Sequence, residues 1–379
     1  MEKMYFDYAS TTPADPQVMK AMEPYFGERF GNPSSPHGFG REAKKALDDS
    51  RQTLARFIGA QPEEIVFTSG ATESNNHAIL GVAHSLKSKG NHLIVSPVDH
   101  HSVLKPIEFL GKEGFKVTYL PVDQNGLVDP NDVEKAVTAQ TILLAVLHAS
   151  NEIGTIQPVA AIGAIAKQKG VAFLVDAVQT VGHLPVNVKE LNADLLSLSA
   201  HKFYGPKGIG ALYIRKGTKV TRYLMGGDQE QGRRASTQNV AGAVGLAQAI
   251  ELCQQNMNKE AQKQISWRDK IIQGVAERIK NSRLNGHLSN RLPNNAHFSF
   301  EKVQSEALLL SLDMVGIAAS MGSACTSGAM EPSHVLRAIG LPDELAFGSL
   351  RVSLGRWTTE EQINHLLAEL PKGVERLRI

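Results

Sequence analysis

The sequence predicts an α/β protein: a mainly parallel seven-stranded sheet with helices on both faces, joined to a smaller α+β unit. Three observations predict it. From residue 64 onward, short apolar runs alternate with helical stretches, and seven such runs can be counted up to residue 214. The runs are apolar on both faces, which is the pattern of strands buried under two layers of helix. Beyond residue 215 the alternation stops, and the remainder reads as a mixture of helices and isolated strands. The division that follows places residues 12–257 in a large domain and residues 1–11 with 258–379 in a small one.

Taken in order, the chain opens on a strand-like piece at 4–8 and the polar run Ala9, Ser10, Thr11 and Thr12. Asp15 followed by Pro16 starts a helix over 17–24 by the usual N-cap and first-turn pattern. A turn-rich loop at 31–38 contains Asn32, two prolines and two glycines. Apolar residues at helical spacing then predict a helix over 40–58. The strand at 65–68 leads through Ser69, Gly70, Ala71 and Thr72 into a helix reaching about residue 86. Strands follow at 92–96, 116–120, 141–148, 171–175, 195–199 and 210–214. Helices are predicted between the earlier of these, at about 102–113, 130–137 and 159–168. The stretch 225–237 is polar and glycine-rich. A long helical segment runs over 240–279, with a weak break near 255–257. The small unit has strands near 295–300 and 317–319, and helices at 305–312, 333–338 and 359–370.

Composition narrows the function. The chain has 379 residues, 42% of them hydrophobic and 21% charged, so it can bury a large core and is neither disordered nor fibrous. Lys plus Arg number 40 against 38 Asp plus Glu, a balance that gives no sign of a nucleic-acid or membrane-surface partner. The N-terminus lacks an apolar signal core, and no apolar run is long enough to span a bilayer. Only two cysteines occur, Cys253 and Cys325, which excludes a disulfide framework or a cysteine-rich metal site and fits a reducing, cytoplasmic setting.

In open α/β sheets, ligands bind beyond the carboxyl ends of the strands. The polar residues at those ends form a set. Lys202 follows the strand at 195–199. Most lysines at strand ends only reach for water, but this one has a chemical alternative: covalent attachment to a carbonyl cofactor, most often pyridoxal 5'-phosphate. The other parts that cofactor needs lie on neighbouring strand ends. Thr72 and the amides of Gly70 and Ala71 form a helix start suited to a phosphate dianion. Asp176 can keep a pyridine nitrogen protonated. His100 offers a flat face and a titratable nitrogen. Gln179 can donate to a ring oxygen, and Ser199 and His201 can add phosphate contacts. Each residue alone could be a cap or a loop residue; together, on one edge of one sheet, they point to a cofactor site.

The segments FTSGATESNN, VDHHSVL, HASNEIGTIQP, VDAVQTVG, SLSAHKFYGPKGIGAL and SMGSACTSG occur in that order. This series resembles the motifs of the NifS/IscS-type cysteine desulfurases, fold-type I enzymes of the class V aminotransferase group that depend on pyridoxal phosphate. The resemblance spans nearly the whole chain, from FDYASTTP to RVSLGRWTTEE. It implies conversion of L-cysteine to L-alanine with the sulfur left as a persulfide on an enzyme cysteine. By position it makes Lys202 the cofactor-bearing lysine, His100 the ring-stacking and proton-transferring residue, and Cys325 the sulfur acceptor. Asp176 and Gln179 hold the ring nitrogen and oxygen. Thr72, Ser199 and His201 hold the phosphate, and Thr237 reaches in from a second subunit, which implies a homodimer. Arg351 binds the substrate carboxylate, and Asn151 and Asn32 line the substrate site.

Cys325 lies in a run of small residues that cannot pack a core, so the loop at about 320–332 is expected to be mobile, with the thiol exposed. Cys253, in a helical apolar stretch, reads as an inert core residue. Two departures stand out. The loop that relatives write GGGQERGxRSGT has Asp228 for a glycine, Gln231 for an arginine, and Ala235 and Ser236 for Ser-Gly. The chain also stops soon after RWTTEE, where some relatives carry a longer tail that helps bind an iron–sulfur scaffold protein. The acceptor of the sulfur, an iron–sulfur scaffold or a tRNA-thiolation enzyme, is left open. The competing readings are an aminotransferase or selenocysteine lyase of the same fold, which Cys325 and its loop argue against in the first case. A nucleotide-binding protein lacks its phosphate-loop motifs here.

Overall fold

The computed structural model describes residues 3–322 and 332–378. In chain order the elements are β1 (Met4–Tyr5), α1 (Pro16–Met22), α2 (Gly38–Ile58), β2 (Ile65–Thr68), α3 (Ala71–Leu86), β3 (His92–Val95), α4 (His101–Lys112), β4 (Lys116–Tyr119) and α5 (Pro130–Ala136). There follow β5 (Thr141–Leu147), α6 (Val159–Lys169), β6 (Ala172–Asp176), β7 (Leu195–Ser199), β8 (Gly210–Ile214) and α7 (Val240–Arg278). The last third holds β9 (Ser282–Asn285), β10 (Asn295–Phe300), α8 (Ser305–Asp313), β11 (Ile317–Ala318), α9 (His334–Ala338), α10 (Asp343–Ala346), β12 (Ser349–Ser353) and α11 (Glu360–Leu377).

The seven predicted strands form one sheet in the order β2-β8-β7-β6-β5-β3-β4. Only β8 runs against its neighbours; the β7-β6-β5-β3-β4 pairs are all parallel. Both faces are buried. In β2, Ile65 and Phe67 join the core under α2, α6 and the start of α7, while Val66 joins the core under α3 and α4, as the two-residue period of a strand requires. A separate core surrounds the three-stranded sheet β12-β10-β9. Phe6, Ile271, Val275, Phe298, Phe300, Leu350 and Leu366 meet there.

The sequence reading needs four corrections. α7 is continuous over 39 residues, with no break at 255–257. That stretch contains no glycine or proline, and Asn256 turns its Nδ2 back to the carbonyl of Leu252 (2.8 Å), so its polar side chains face outward without disturbing the ladder. β9 and β12 are strands that the sequence did not suggest. β12, SLRVS, is buried at all five positions, and the arginine at its centre hides the apolar alternation. α11 continues through Pro371 to Leu377 instead of ending near residue 370. β1 is shorter than the predicted 4–8 strand and pairs with β11.

Two glycines bring the elements close enough to form a site. Gly70, with φ +154°, lets the chain leave β2 and enter α3 without a side chain at the helix start. A Cβ on Gly210 would sit 2.5 Å from the Leu198 carbonyl oxygen and 2.8 Å from Gly70 Cα. β8 is thus pressed against the turn between β2 and α3.

Candidate active site

A cavity of about 590 Å³ opens at the carboxyl ends of β5, β6 and β7. Lys202, Asp176, His100, Gln179 and Asn151 line it. So do Ala71, Thr72, Ser199, His201 and Arg351.

Lys202 lies on the single helical turn Ala200–Lys202 that follows β7. Its Nζ donates to the carbonyls of Ala9 (2.8 Å) and Ser10 (2.6 Å), in the segment that threads past the strand ends. The backbone of Lys202 is fixed from behind by His183, whose Nε2 donates to the Lys202 carbonyl (3.1 Å). Burial, reinforced by the nearby Arg351 charge, lowers the Lys202 amine from 10.5 to about 8. A lysine so placed supplies a neutral amine far more readily than a surface lysine.

Asp176 ends β6. Its Oδ1 accepts from the Val178 amide (3.1 Å), and its Oδ2 accepts from Asn75 Nδ2 (2.8 Å). Gln179 donates its Nε2 to the Ala9 carbonyl (3.0 Å). His100 caps α4, its Nδ1 accepting from the Ser102 amide (3.1 Å). Burial holds the His100 imidazole below its ordinary range, against the opposing pull of the Asp176 carboxylate.

The first turn of α3 has no side-chain cap, because Gly70 stands at the N-cap. The Ser199 hydroxyl beside it has no partner among the described residues. His201 Nδ1 lies 3.1 Å from the Thr11 hydroxyl, and burial lowers this ring to about 4, so it is neutral at physiological pH. Arg351, on β12, is fully committed at its two terminal nitrogens. It donates to Asp7 Oδ1 (2.6 Å), Ser10 Oγ (2.6 Å), the Asn151 carbonyl (2.7 Å) and the Gly322 carbonyl (3.4 Å).

Two expected residues do not line this cavity. Asn32 is exposed in its loop, where its side chain accepts from the Ser34 amide (2.9 Å). Thr237 is exposed at the end of the 225–237 loop. Cys325 lies outside the described residues; Gly322 and His334, which flank that stretch, both line the cavity. Cys253 is buried as expected, and burial pushes its thiol up to about 12.

Sequence reasoning gave no role to Asn75, Ser102 or Asp99, although Asp99 stands among the polar strand-end residues. Asp99 is fully buried, and burial together with the adjacent Asp176 charge raises its carboxyl well above the usual range. Asn75 and Ser102 sit inside helical stretches, where a polar residue resembles part of a solvated face. The one available signal was that each lies a single turn from a residue already singled out.

The residues present fit pyridoxal phosphate. An uncapped helix start with free amides suits the dianion. A carboxylate on the cavity wall suits the ring nitrogen, and a desolvated lysine on the same wall suits the carbonyl carbon.

The chain matches the model of the family described as "Aminotransferase class-V" over residues 4–366. It is 55% identical, over 376 residues, to "Cysteine desulfurase IscS" of Dictyoglomus turgidum; the match covers 99% of this chain and 95% of that protein. It is 51% identical over 379 residues to "Cysteine desulfurase IscS" of Clostridium botulinum, covering 100% of this chain and 96% of that one. Among solved structures, a "NIFS-like protein" superposes with a TM-score of 0.93 at 37% identity, covering 99% of this chain and 100% of the other. An apo cysteine desulfurase from Thermococcus onnurineus superposes with a TM-score of 0.88 at 29% identity, covering 99% and 95%.

Proposed function

The chain belongs to the class-V aminotransferase family, and from that premise we propose that it is a pyridoxal-phosphate-dependent cysteine desulfurase. Its fold is the fold-type I arrangement that the sequence predicts. In this reading it converts L-cysteine to L-alanine and passes the sulfur to Cys325 as a persulfide. The observation that carries the reading is the meeting, in one cavity, of Lys202 and Asp176 from adjacent strand ends with the uncapped start of α3.

Bound pyridoxal phosphate supplies a carbonyl for the substrate amine and an electron sink for cleavage at the substrate's Cα and Cβ. Thr72, Ser199, His201 and the first-turn amides of α3 would hold its phosphate, Asp176 its ring nitrogen, Gln179 its ring oxygen and Lys202 its carbonyl carbon. The chain's own groups divide the remaining work. Lys202, once free, takes the substrate's α-proton, a task suited to an amine lowered to about 8. His100 hands protons across the cavity. Arg351 receives the substrate carboxylate by exchanging its bonds to Asp7 and Ser10, since an arginine fork grips a carboxylate with two parallel hydrogen bonds. The Cys325 thiolate attacks the substrate sulfur as the C–S bond breaks.

We further propose a cytoplasmic homodimer serving a sulfur-acceptor protein, an iron–sulfur scaffold or a tRNA-thiolation enzyme. Support for the dimer comes from exposed Phe26, Phe30, Phe39 and Met225, of which Phe30 and Phe39 stack at 5.4 Å into a bare apolar face. Thr237 and Asn32, outside this chain's own cavity, are then free to serve a second copy. Among the described residues no helix is long and apolar enough to cross a membrane.

The deciding experiment is single-turnover alanine formation and protein-bound persulfide after addition of L-cysteine. The wild type should give alanine and about one labile sulfur per subunit, the yield of one covalent nucleophile. Cys325→Ser should give neither. A Cys325→Ser variant that makes alanine at the wild-type rate would remove Cys325 from the reaction and favour a lyase acting on a different substrate.

A further inference from the structure

We propose that Asn75 and Ser102 are positioning residues that fix His100 as the neutral tautomer protonated on Nε2 and tie its ring to Asp176. The proposal rests on the functional reading above for what His100 does, but the tautomer itself follows from hydrogen bonds alone.

Asn75 lies in α3, one turn past Thr72, and is fully buried. Its Nδ2 donates to Asp176 Oδ2 (2.8 Å) and to Ser102 Oγ (2.9 Å). An amide nitrogen carries two hydrogens, and both are used. The opposite amide orientation would place Oδ1 against the Asp176 carboxylate, acceptor against acceptor, so the Asp176 contact settles which way the side chain points. Ser102 Oγ therefore receives a hydrogen from Asn75 and has its own left to give. Its neighbour is His100 Nδ1, at 2.8 Å. The Ser102 backbone amide points at the same nitrogen from 3.1 Å. With two donors aimed at it, Nδ1 is an acceptor and carries no proton. In a neutral imidazole the proton then sits on Nε2, which has no partner among the described residues.

A second observation separates this role from plain fold support. In the orientation that Asp176 enforces, Asn75 Oδ1 is buried and has no partner among the described residues. An unsatisfied buried acceptor lowers stability, so the amide is placed at the expense of the fold. The groups around the ring act in both directions. Burial lowers the His100 imidazole, and so do the charges of Lys202, His101 and His334, while Asp176 raises it. The consequence is a division of labour. His100 presents an N–H to the cavity and donates there, leaving Lys202 as the group that accepts.

The test is the ¹⁵N spectrum of His100 in the pyridoxal-phosphate-loaded protein, labelled at histidine and followed from pH 5 to 9, for wild type, Ser102→Ala and Asn75→Leu. The wild type should show a protonated Nε2 and an unprotonated Nδ1 throughout the neutral range. Ser102→Ala deletes one donor to Nδ1, and the protonation midpoint should rise by half a pH unit or more. Asn75→Leu should raise it too and let both tautomers appear, with kcat down several-fold and KM within twofold. Ser102→Thr, which keeps the hydroxyl, should restore the wild-type titration. Should Asn75→Leu fail to fold, Ser102→Ala and Ser102→Thr still decide the matter. A proton on Nδ1 in the wild type, or an unchanged midpoint in folded Ser102→Ala, would overturn the proposal. Because the spectrum is read without substrate, absence of alanine production would sink the functional reading and leave the tautomer result standing.

Discussion

At the scale of single residues, the site depends on where charge is taken out of water. Lys202 is the clearest case. Its amine, lowered from 10.5 to about 8 by burial, is about one quarter neutral at pH 7.5, where an ordinary lysine is neutral about one time in a thousand. Labelling of the cofactor-free chain by an amine-acetylating reagent, read by peptide mass spectrometry, should therefore rise with pH at Lys202 to a plateau with a midpoint near 8. Surface lysines should keep rising beyond pH 10. If Lys202 tracked the surface lysines, its burial would have no chemical effect. Arg351 shows the converse: its buried guanidinium is paired with Asp7 at 2.6 Å. These two residues were not equally legible. Lys202, Asp176 and His100 follow apolar runs that end abruptly in polar residues, so the strand ends pointed to them. Arg351 was identified only through family resemblance, because it sits inside a strand that did not read as one.

At the scale of elements, the polar, glycine-rich 225–237 loop is held to the body of the chain. Glu230 accepts two bonds from the Arg51 guanidinium on α2 (2.7 and 2.8 Å) and one from the Phe67 amide on β2 (2.9 Å). Arg234 holds Glu73 at the first turn of α3 (2.8 Å). The loop is thereby fastened to both ends of the turn that would cradle a phosphate. Glu230→Ala strands a buried guanidinium and should destabilise the chain by about 3–5 kcal/mol, whereas the paired apolar replacement Arg51→Met with Glu230→Leu should recover most of that loss. Urea unfolding of the three variants checks this, and a loss below about 1 kcal/mol for Glu230→Ala would show the pair to be dispensable. None of this could be read from sequence, since Arg51 and Glu230 lie 179 residues apart. The helix and strand periods revealed the sheet because its strands are short, apolar and regularly spaced. They failed for β9 and β12, where polar side chains interrupt the apolar pattern.

For the whole molecule, burial of imidazoles sets the response to acid. Nine of the 13 histidines are held below their ordinary range, chiefly by burial. His77 and His148 fall to about 4 and His297 to about 3, from 6.5. The folded chain leaves these rings neutral while an unfolded chain protonates them below 6.5. Their contribution is therefore complete above that pH and is lost as pH falls toward 4, by up to about 1.4 kcal/mol per pH unit for each. Asp99, Glu152 and Asp194, all raised by burial, oppose the trend but are fewer. The urea midpoint of the cofactor-free chain should fall steadily from pH 6.5 to 4; a flat midpoint would contradict this balance. The unbroken α7 has a mechanical meaning of its own. From Cys253, packed in the first core, to Arg278 it runs 25 residues, about 37 Å, with its only glycine at Gly274. A bend of about 6° spread along that length swings the far core by about 2 Å, without any single joint. The two cores are coupled through this rod as by a leaf spring, alongside the direct Arg351–Asn151 and Arg356–Asp15 contacts, so softening the rod along its span should loosen the cavity wall at a distance.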